Sequence, residues 1–205
     1  MSIASTRQNT KKDKTQQLIL DAAAKCFSKQ GFHGTPLKDI AETVNMKTGS
    51  LYYHFPSKEM LMQEVLNKSV QLIYNTVNDE VAKLEDNAAF PELLRAAIRG
   101  HLIAILTYSD YTSASIRNYG QFPEAVHLAS QSSRDDYEQF WRDFFDQAEA
   151  EGAIRAGVDK HLLRLTIFGG MNWASVWFES KDTDGASVES IADFQADLFL
   201  NGCRP

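Results

Sequence analysis

The sequence is short of the residues that small catalytic and redox motifs require. It has only two cysteines, Cys26 and Cys203, at opposite ends of the chain. They match neither a metal site nor a redox pair. Cys26 reads as a small buried apolar side chain. The five histidines (His33, His54, His101, His127 and His161) show no metal-ligand spacing. No glycine-rich phosphate loop, nucleophile elbow or Cys/His motif is present. Neither an enzyme nor a cofactor is therefore expected. No run approaches the roughly 18 apolar residues of a membrane span, so no membrane partner is expected. The opening stretch MSIASTRQNTKKDK has no apolar core, which excludes a secretory signal and predicts a cytosolic protein. Strict polar/apolar alternation is also missing, so the fold is expected to be all-α.

Charge is scarce in one sign only when the chain is divided. The formal net charge is −6, which by itself argues against a nucleic-acid partner. Residues 1–60, however, hold nine Lys/Arg against five Asp/Glu, or +4; the rest holds twelve against 22, or −10. A basic head on an acidic body suits a protein that meets a polyanion with one part only.

Residues 1–14 are polar and read as a flexible basic arm. From Thr15, Leu18, Ile19, Ala22, Ala23, Cys26 and Phe27 recur at helical spacing, and Gly31 suits the stop. Thr35-Pro36 predicts the start of a second helix, with Thr35 as its N-cap. Asn45 suits the left-handed residue that ends it. Thr48 caps a short third helix, 48–54, and Pro56 stops it. Ser57 caps a long fourth helix that runs to about Leu84. Further helices are expected at 91–108, 111–119, 123–151, 160–179 and 187–201, about nine in all.

Two short helices joined by a tight turn, with a third before them, form a helix-turn-helix, whose second helix enters the DNA major groove. On a helical wheel Leu51 and Phe55 point together toward the other helices. Gly49, Ser50 and Tyr53 lie on the opposite arc, flanked by Tyr52 and His54. Gly49 permits close backbone approach. Ser50 can donate or accept a hydrogen bond. The tyrosine rings can touch a thymine methyl while their hydroxyls reach phosphate. His54 and Lys58 suit phosphates, and Lys38 and Lys47 flank the turn.

The run IAETVNMKTGSLYYHFPSKEMLM, Ile40 to Met62, resembles the signature of the TetR family of bacterial transcriptional regulators. Gly31-Phe32 and Gly34-Thr35 upstream fit as well. Asn45 departs from the glycine usual there, with the same backbone within reach. The resemblance implies a DNA-binding domain at 15–62 and an effector-binding, dimerising body at 63–205. It implies that Thr48, Gly49, Ser50 and Tyr52 lie near bases, that Thr35, Tyr53, His54 and Lys58 face phosphates, and that Lys38 reads a base. The implied protein is a homodimeric repressor on a palindromic operator, released by a small apolar effector.

Thirteen of the 22 aromatic residues fall between Tyr108 and Phe178. Such rings build ordinary core or the walls of an apolar cavity. The candidate walls are Tyr108, Tyr111, Tyr119, Phe122, Trp141, Phe145, Phe168, Trp173 and Trp177, with Asn118 and Asn172 as polar points. Apolar surplus on the last two helices suggests a two-fold interface involving Gly169, Gly170, Val188, Ile191, Phe194 and Leu198. The segment from Glu151 to Trp177 resembles TetR members that sense acyl-CoA thioesters. Arg99, Arg117 and Arg142 are candidates for an anionic head group. An aromatic or drug-like compound is the alternative effector.

Overall fold

The computed structural model describes residues 11–107, 110–178 and 185–203. The described residues form ten α-helices and one 3₁₀ turn, with no strand among them. The helices are α1 (Lys11–Gly34), α2 (Leu37–Thr43), α3 (Thr48–His54), α4 (Lys58–Val81) and α5 (Phe90–Thr107). They continue with α6 (Asp110–Asn118), the 3₁₀ turn Tyr119–Gln121, α7 (Glu124–Ala129), α8 (Gln131–Ala150), α9 (Lys160–Trp177) and α10 (Val188–Cys203). The first helix begins four residues before the apolar pattern does, so Lys11 to Lys14 belong to it and not to the arm.

Local chemistry sets most of the boundaries. Gly31 interrupts α1 at φ 75°, a backbone that a side chain would strain. Asn45 is the only non-glycine with positive φ among the described residues, at 54°. Around it the Met46 N–H donates to Ala41 O at 2.8 Å and the Asn45 N–H to Glu42 O at 3.1 Å. That pair of bonds is a Schellman closure of α2. The Ser57 hydroxyl accepts from the Met60 N–H at 3.0 Å and caps α4.

Three expected boundaries change. Thr35 does not cap α2: Pro36 is the N-cap residue and makes no side-chain cap bond. Thr48 is the first residue of α3, behind an uncapped Lys47. The single helix expected over 123–151 breaks at Ser130, whose Oγ donates to His127 O at 3.3 Å. Arg134 takes the same carbonyl at 2.9 Å. Side chains that satisfy backbone carbonyls compete with the helical ladder.

Two hydrophobic cores result. The first joins α1 to α4 around Phe27, Phe32, Ile40, Leu51 and Leu61, and takes Ala114, Phe122 and Val126 from farther along the chain. The second starts at Ile73 and gathers α5, α8, α9 and α10 around Leu94, Leu102, Trp141 and Met171. The fourth helix carries Val65 into the first core and Val77 into the second, so it links them mechanically. Gly100 lets α5 approach α4 closely: a Cβ there would lie 2.7 Å from Val77 Cα.

Candidate DNA-binding and effector sites

The third helix is pinned by two residues and open elsewhere. Leu51 is fully buried and Phe55 nearly so, while Tyr53 is 78% and Tyr52 49% exposed. Lys47, Gly49 and Ser50 share the open surface, and Thr48 is half-buried. A Cβ built on Gly49 meets nothing within 4 Å. His54 is half-buried, with its ring edge-on to Tyr53 at 5.4 Å and its Nδ1 buried without a partner. Lys38 is exposed beside Glu42, 3.5 Å away.

Two residues expected at phosphates make their bonds within the head. Thr35 is fully buried. Its hydroxyl lies 2.7 Å from Gly31 O and 3.3 Å from Cys26 O, so it ties the end of α1. Lys58 donates to Phe32 O at 2.9 Å and sits 4.5 Å over the Phe32 ring. The carbonyl end of a helix attracts a cation, which explains this choice.

Three expected pocket residues line the seam between head and body instead. Asn118 is buried; its Oδ1 accepts from the Phe32 N–H and its Nδ2 donates to Phe27 O, both at 3.1 Å. The Tyr111 hydroxyl donates to Asp21 at 2.7 Å and accepts from Gln17 at 3.1 Å. Burial, aided by the Asp21 carboxylate, raises its pKa well above the usual phenol value. Phe122 belongs to the first core. Tyr119 is exposed, with the Arg134 guanidinium 6.0 Å over its ring. Tyr108 lies outside the described residues.

Trp141 and Phe145 are buried in the second core, and a void of only about 10 Å³ lies beside Phe145. Their neighbour is a polar node that includes Asn172, one of the expected polar points. His101, wholly buried, has Nδ1 2.8 Å from the Tyr137 hydroxyl and Nε2 3.1 Å from Asn172 Oδ1. Asn172 Oδ1 can only accept, so Nε2 carries the proton and Nδ1 accepts from the phenol. Burial lowers the His101 pKa to about 4, so the ring is neutral at pH 7. Burial likewise pushes the Tyr137 phenol far above its ordinary value. Phe168 stacks on both rings, 5.9 Å from His101 and 5.7 Å from Tyr137. Asn172 and Phe168 are among the expected pocket residues; His101, inside the apolar run GHLIAIL, and Tyr137 are not.

The candidate arginines differ in their use. Arg99 pairs with buried Glu80 at 2.7 Å. Arg142 pairs with Glu138 at 3.3 Å. Arg117 is exposed. Arg164, which no sequence pattern singles out, is buried and holds Glu138 at 2.7 Å.

Three of the open hollows among the described residues lie on the body. One of about 530 Å³ is lined by Tyr74, Phe140, Phe144, Asp136, Asp143 and two glutamines. A second of about 410 Å³ shares Tyr74 and Asp136 with it. The third, about 440 Å³, lies between α9 and α10 beside Trp173, Trp177, Phe194 and Leu198. The expected pairing residues divide here. Val188 and Ile191 are buried within the chain's own core. Phe194, Leu198, Leu162, Leu165, Trp173 and Val176 are exposed. Gly170 faces α10 of its own chain, its carbonyl accepting from Gln195 at 3.2 Å, whereas a Cβ on Gly169 meets nothing. Among the described residues no helix is long and apolar enough to cross a membrane.

Comparison with known proteins agrees with this geometry. The family model "Bacterial regulatory proteins, tetR family" matches residues 19–65. The model "Tetracyclin repressor-like, C-terminal domain" matches residues 88–203. The chain is 26% identical over 189 residues to the HTH-type transcriptional repressor KstR2 of Rhodococcus jostii, covering 90% of this chain and 88% of that protein. It is similar in structure to AibR in complex with isovaleryl coenzyme A and operator DNA, with TM-score 0.77, 25% identity and coverage of 89% and 96%. The fold also matches KstR2 of Mycobacterium tuberculosis, with TM-score 0.74, 20% identity and coverage of 93% and 95%.

Proposed function

The chain belongs to the TetR family of bacterial regulatory proteins, and from that premise we propose which of its residues read DNA, pair the subunits and admit the effector. It is a ligand-responsive transcriptional repressor that binds operator DNA and acts as a dimer. The proposed division places the DNA-binding head at 15–62 and the effector-binding body at 63–205, with the whole protein in the cytoplasm.

The observation that carries the DNA reading is the split of α3: Leu51 and Phe55 inward, Tyr52 and Tyr53 outward. We assign base-edge contacts to Thr48, Gly49, Ser50 and Tyr52. Lys38, Lys47, Tyr53 and His54 supply phosphate and groove-wall contacts. Thr35 and Lys58 serve this surface indirectly, by holding the corner between α1 and α2. Pairing is assigned to the exposed apolar face of α9 and α10, with Phe194 and Leu198 at its centre. Two-fold pairing places the two α3 helices on half-sites a whole number of DNA turns apart.

The fourth helix offers the route from effector to DNA, because it enters both cores. An effector acts only through different affinity for the two states. Support for its class divides. The likeness to AibR, solved with isovaleryl coenzyme A, favours an acyl thioester. The two hollows away from the assigned pairing face favour another chemistry, since no Lys or Arg lines either to meet coenzyme phosphates.

A gel shift with DNA from upstream of the protein's own gene tests the DNA reading. The expected result is a shifted band at nanomolar to micromolar protein, competed by specific and not by random DNA, and lost in Tyr52→Ala/Tyr53→Ala. No shift even at low salt overturns it. Sedimentation of Phe194→Asp/Leu198→Asp tests the pairing face, with a monomer expected.

A further inference from the structure

The two hollows that share Tyr74 and Asp136 make up a trough between α4 and α8. Its floor is aromatic. Tyr74 and Phe140 lie edge-to-face at 5.8 Å, and Phe140 stacks against Phe144 at 6.0 Å. All three rings are half-buried, so each keeps part of its surface toward solvent.

Its rim is acidic. Asp136 and Asp143 are exposed and two helical turns apart on α8, a separation of roughly 10 Å. Of the other carboxylates of this helix, Glu138 is matched with Arg142 and Arg164, and Asp146 and Glu149 with Lys160, while Asp135 is exposed outside both hollows. Asp136 and Asp143 are in no ion pair among the described residues, and Asp143 only accepts from Gln139, at 2.6 Å. No Lys or Arg lines either hollow. Asp136 and Asp143 therefore set unmatched negative charge beside the three rings.

Ring faces and uncompensated carboxylates attract the same ligand. A cation over a ring is held by the ring's quadrupole, and a nearby carboxylate adds direct attraction. An anionic ligand meets the opposite field. We propose that this trough binds an organic cation with a flat apolar body, its positive centre between Asp136 and Asp143 and its body on Tyr74, Phe140 and Phe144. The proposal rests on the reading of this chain as a ligand-responsive regulator and names the class of ligand.

The site is also wired to the rest of the molecule. Tyr74 packs on Tyr137 at 5.8 Å, and Tyr137 stacks on Phe168 of α9 at 5.7 Å. Tyr74 itself belongs to α4, which enters the core of the head. A ligand that shifts Tyr74 thus acts on the helix that positions α3.

Calorimetry on the full-length dimer tests this with (1-naphthylmethyl)trimethylammonium, neutral 1-naphthylmethanol, anionic 1-naphthylacetate and isovaleryl coenzyme A. The cation is expected to bind at least about tenfold more tightly than the neutral and anionic probes, and to weaken as salt rises. Asp136→Asn/Asp143→Asn is expected to lower cation affinity about tenfold and leave the neutral probe unchanged. Tyr74→Leu, which keeps apolar bulk and removes the ring, is expected to lower it about threefold. Equal binding of cation and neutral probe, tighter binding of either anion, or no effect of the double substitution overturns the proposal. Operator binding without any probe is measured separately and is expected to be unchanged in Asp136→Asn/Asp143→Asn. Failure of the trough and failure of the repressor reading therefore appear in different experiments.

Discussion

Asn118 in α6 completes the broken end of α1, accepting from the Phe32 N–H and donating to Phe27 O, each at 3.1 Å. The break exists because Gly31 turns the chain at φ 75°, and a Cβ there would lie 3.0 Å from Asn118 Oδ1. One side chain of the body thus closes the backbone of the head. Asn118→Ala leaves these buried groups without partners and is expected to cost about 2–3 kcal/mol. Gly31→Ala is expected to cost about 1–3 kcal/mol through backbone strain. Urea unfolding of both variants checks this; a loss below about 0.5 kcal/mol for Asn118→Ala counts against the seam.

Glycine has opposite meanings at two other positions. At Gly100 a Cβ would lie 2.7 Å from Val77 Cα and 2.8 Å from Thr76 O, both backbone atoms that cannot swing aside. Gly100→Ala is expected to force α4 and α5 apart at about 3 kcal/mol. At Gly49 the space is open. Gly49→Ala is expected to raise stability by about 0.5 kcal/mol through helix propensity, yet to weaken operator binding by blocking close approach. Melting temperature and gel shift together separate the two effects.

On α3, stability and DNA affinity reside in different residues. Tyr53→Ala removes a ring that is mostly in solvent, so unfolding should move by no more than about 0.5 kcal/mol. Operator affinity should fall about tenfold. Leu51→Ala empties a fully buried position and should cost about 2–5 kcal/mol. A Tyr53→Ala protein that unfolds early, with unchanged affinity when folded, would reverse the assignment.

The buried His101 makes stability depend on pH. Its folded pKa is lowered to about 4 from 6.5, first by burial, with the Asn172 hydrogen bond opposing. Below pH 6.5 the unfolded chain therefore binds a proton that the folded protein refuses. The contribution is fully present above pH 6.5 and is lost as pH falls toward 4, at up to about 1.4 kcal/mol per pH unit. The total loss is on the order of 3 kcal/mol. Unfolding of wild type and His101→Gln at a series of pH values isolates this from the carboxylates. Parallel curves between pH 6.5 and 4.5 would sink the prediction.

The head was legible because its instructions are local. Pro56, Asn45 and Ser57 act on neighbours within a turn, and the wheel of α3 separates Leu51 and Phe55 from Tyr52 and Tyr53 without knowledge of any other helix. The break at Ser130 was not legible, because Arg134 and the serine hydroxyl draw one carbonyl out of an otherwise uniform helical pattern. Thr35 departs from its expected capping role for a related reason. A threonine before proline suits a cap, and only the return of α1 beside it turns its hydroxyl inward.

The body shows where periodicity stops informing. On α10 the pattern marks Val188, Ile191, Phe194 and Leu198 alike as apolar. Burial of the first two and exposure of the last two depends on which helix covers which side. The same holds for Asp136 and Asp143 beside Glu138: one helix, similar carboxylates, and only the reach of Arg142 and Arg164 decides which keep their charge unmatched.

The all-helical fold, the helix-turn-helix and its two faces, and the basic head on an acidic body were determined by the sequence by itself, through turn chemistry, spacing and charge. The Asn118 seam, the His101 node, the acidic aromatic trough and the divided surface of α10 were decided by the tertiary structure. Each joins residues far apart in the chain, and the energy of such a contact exists only once packing has brought both partners together and excluded water between them.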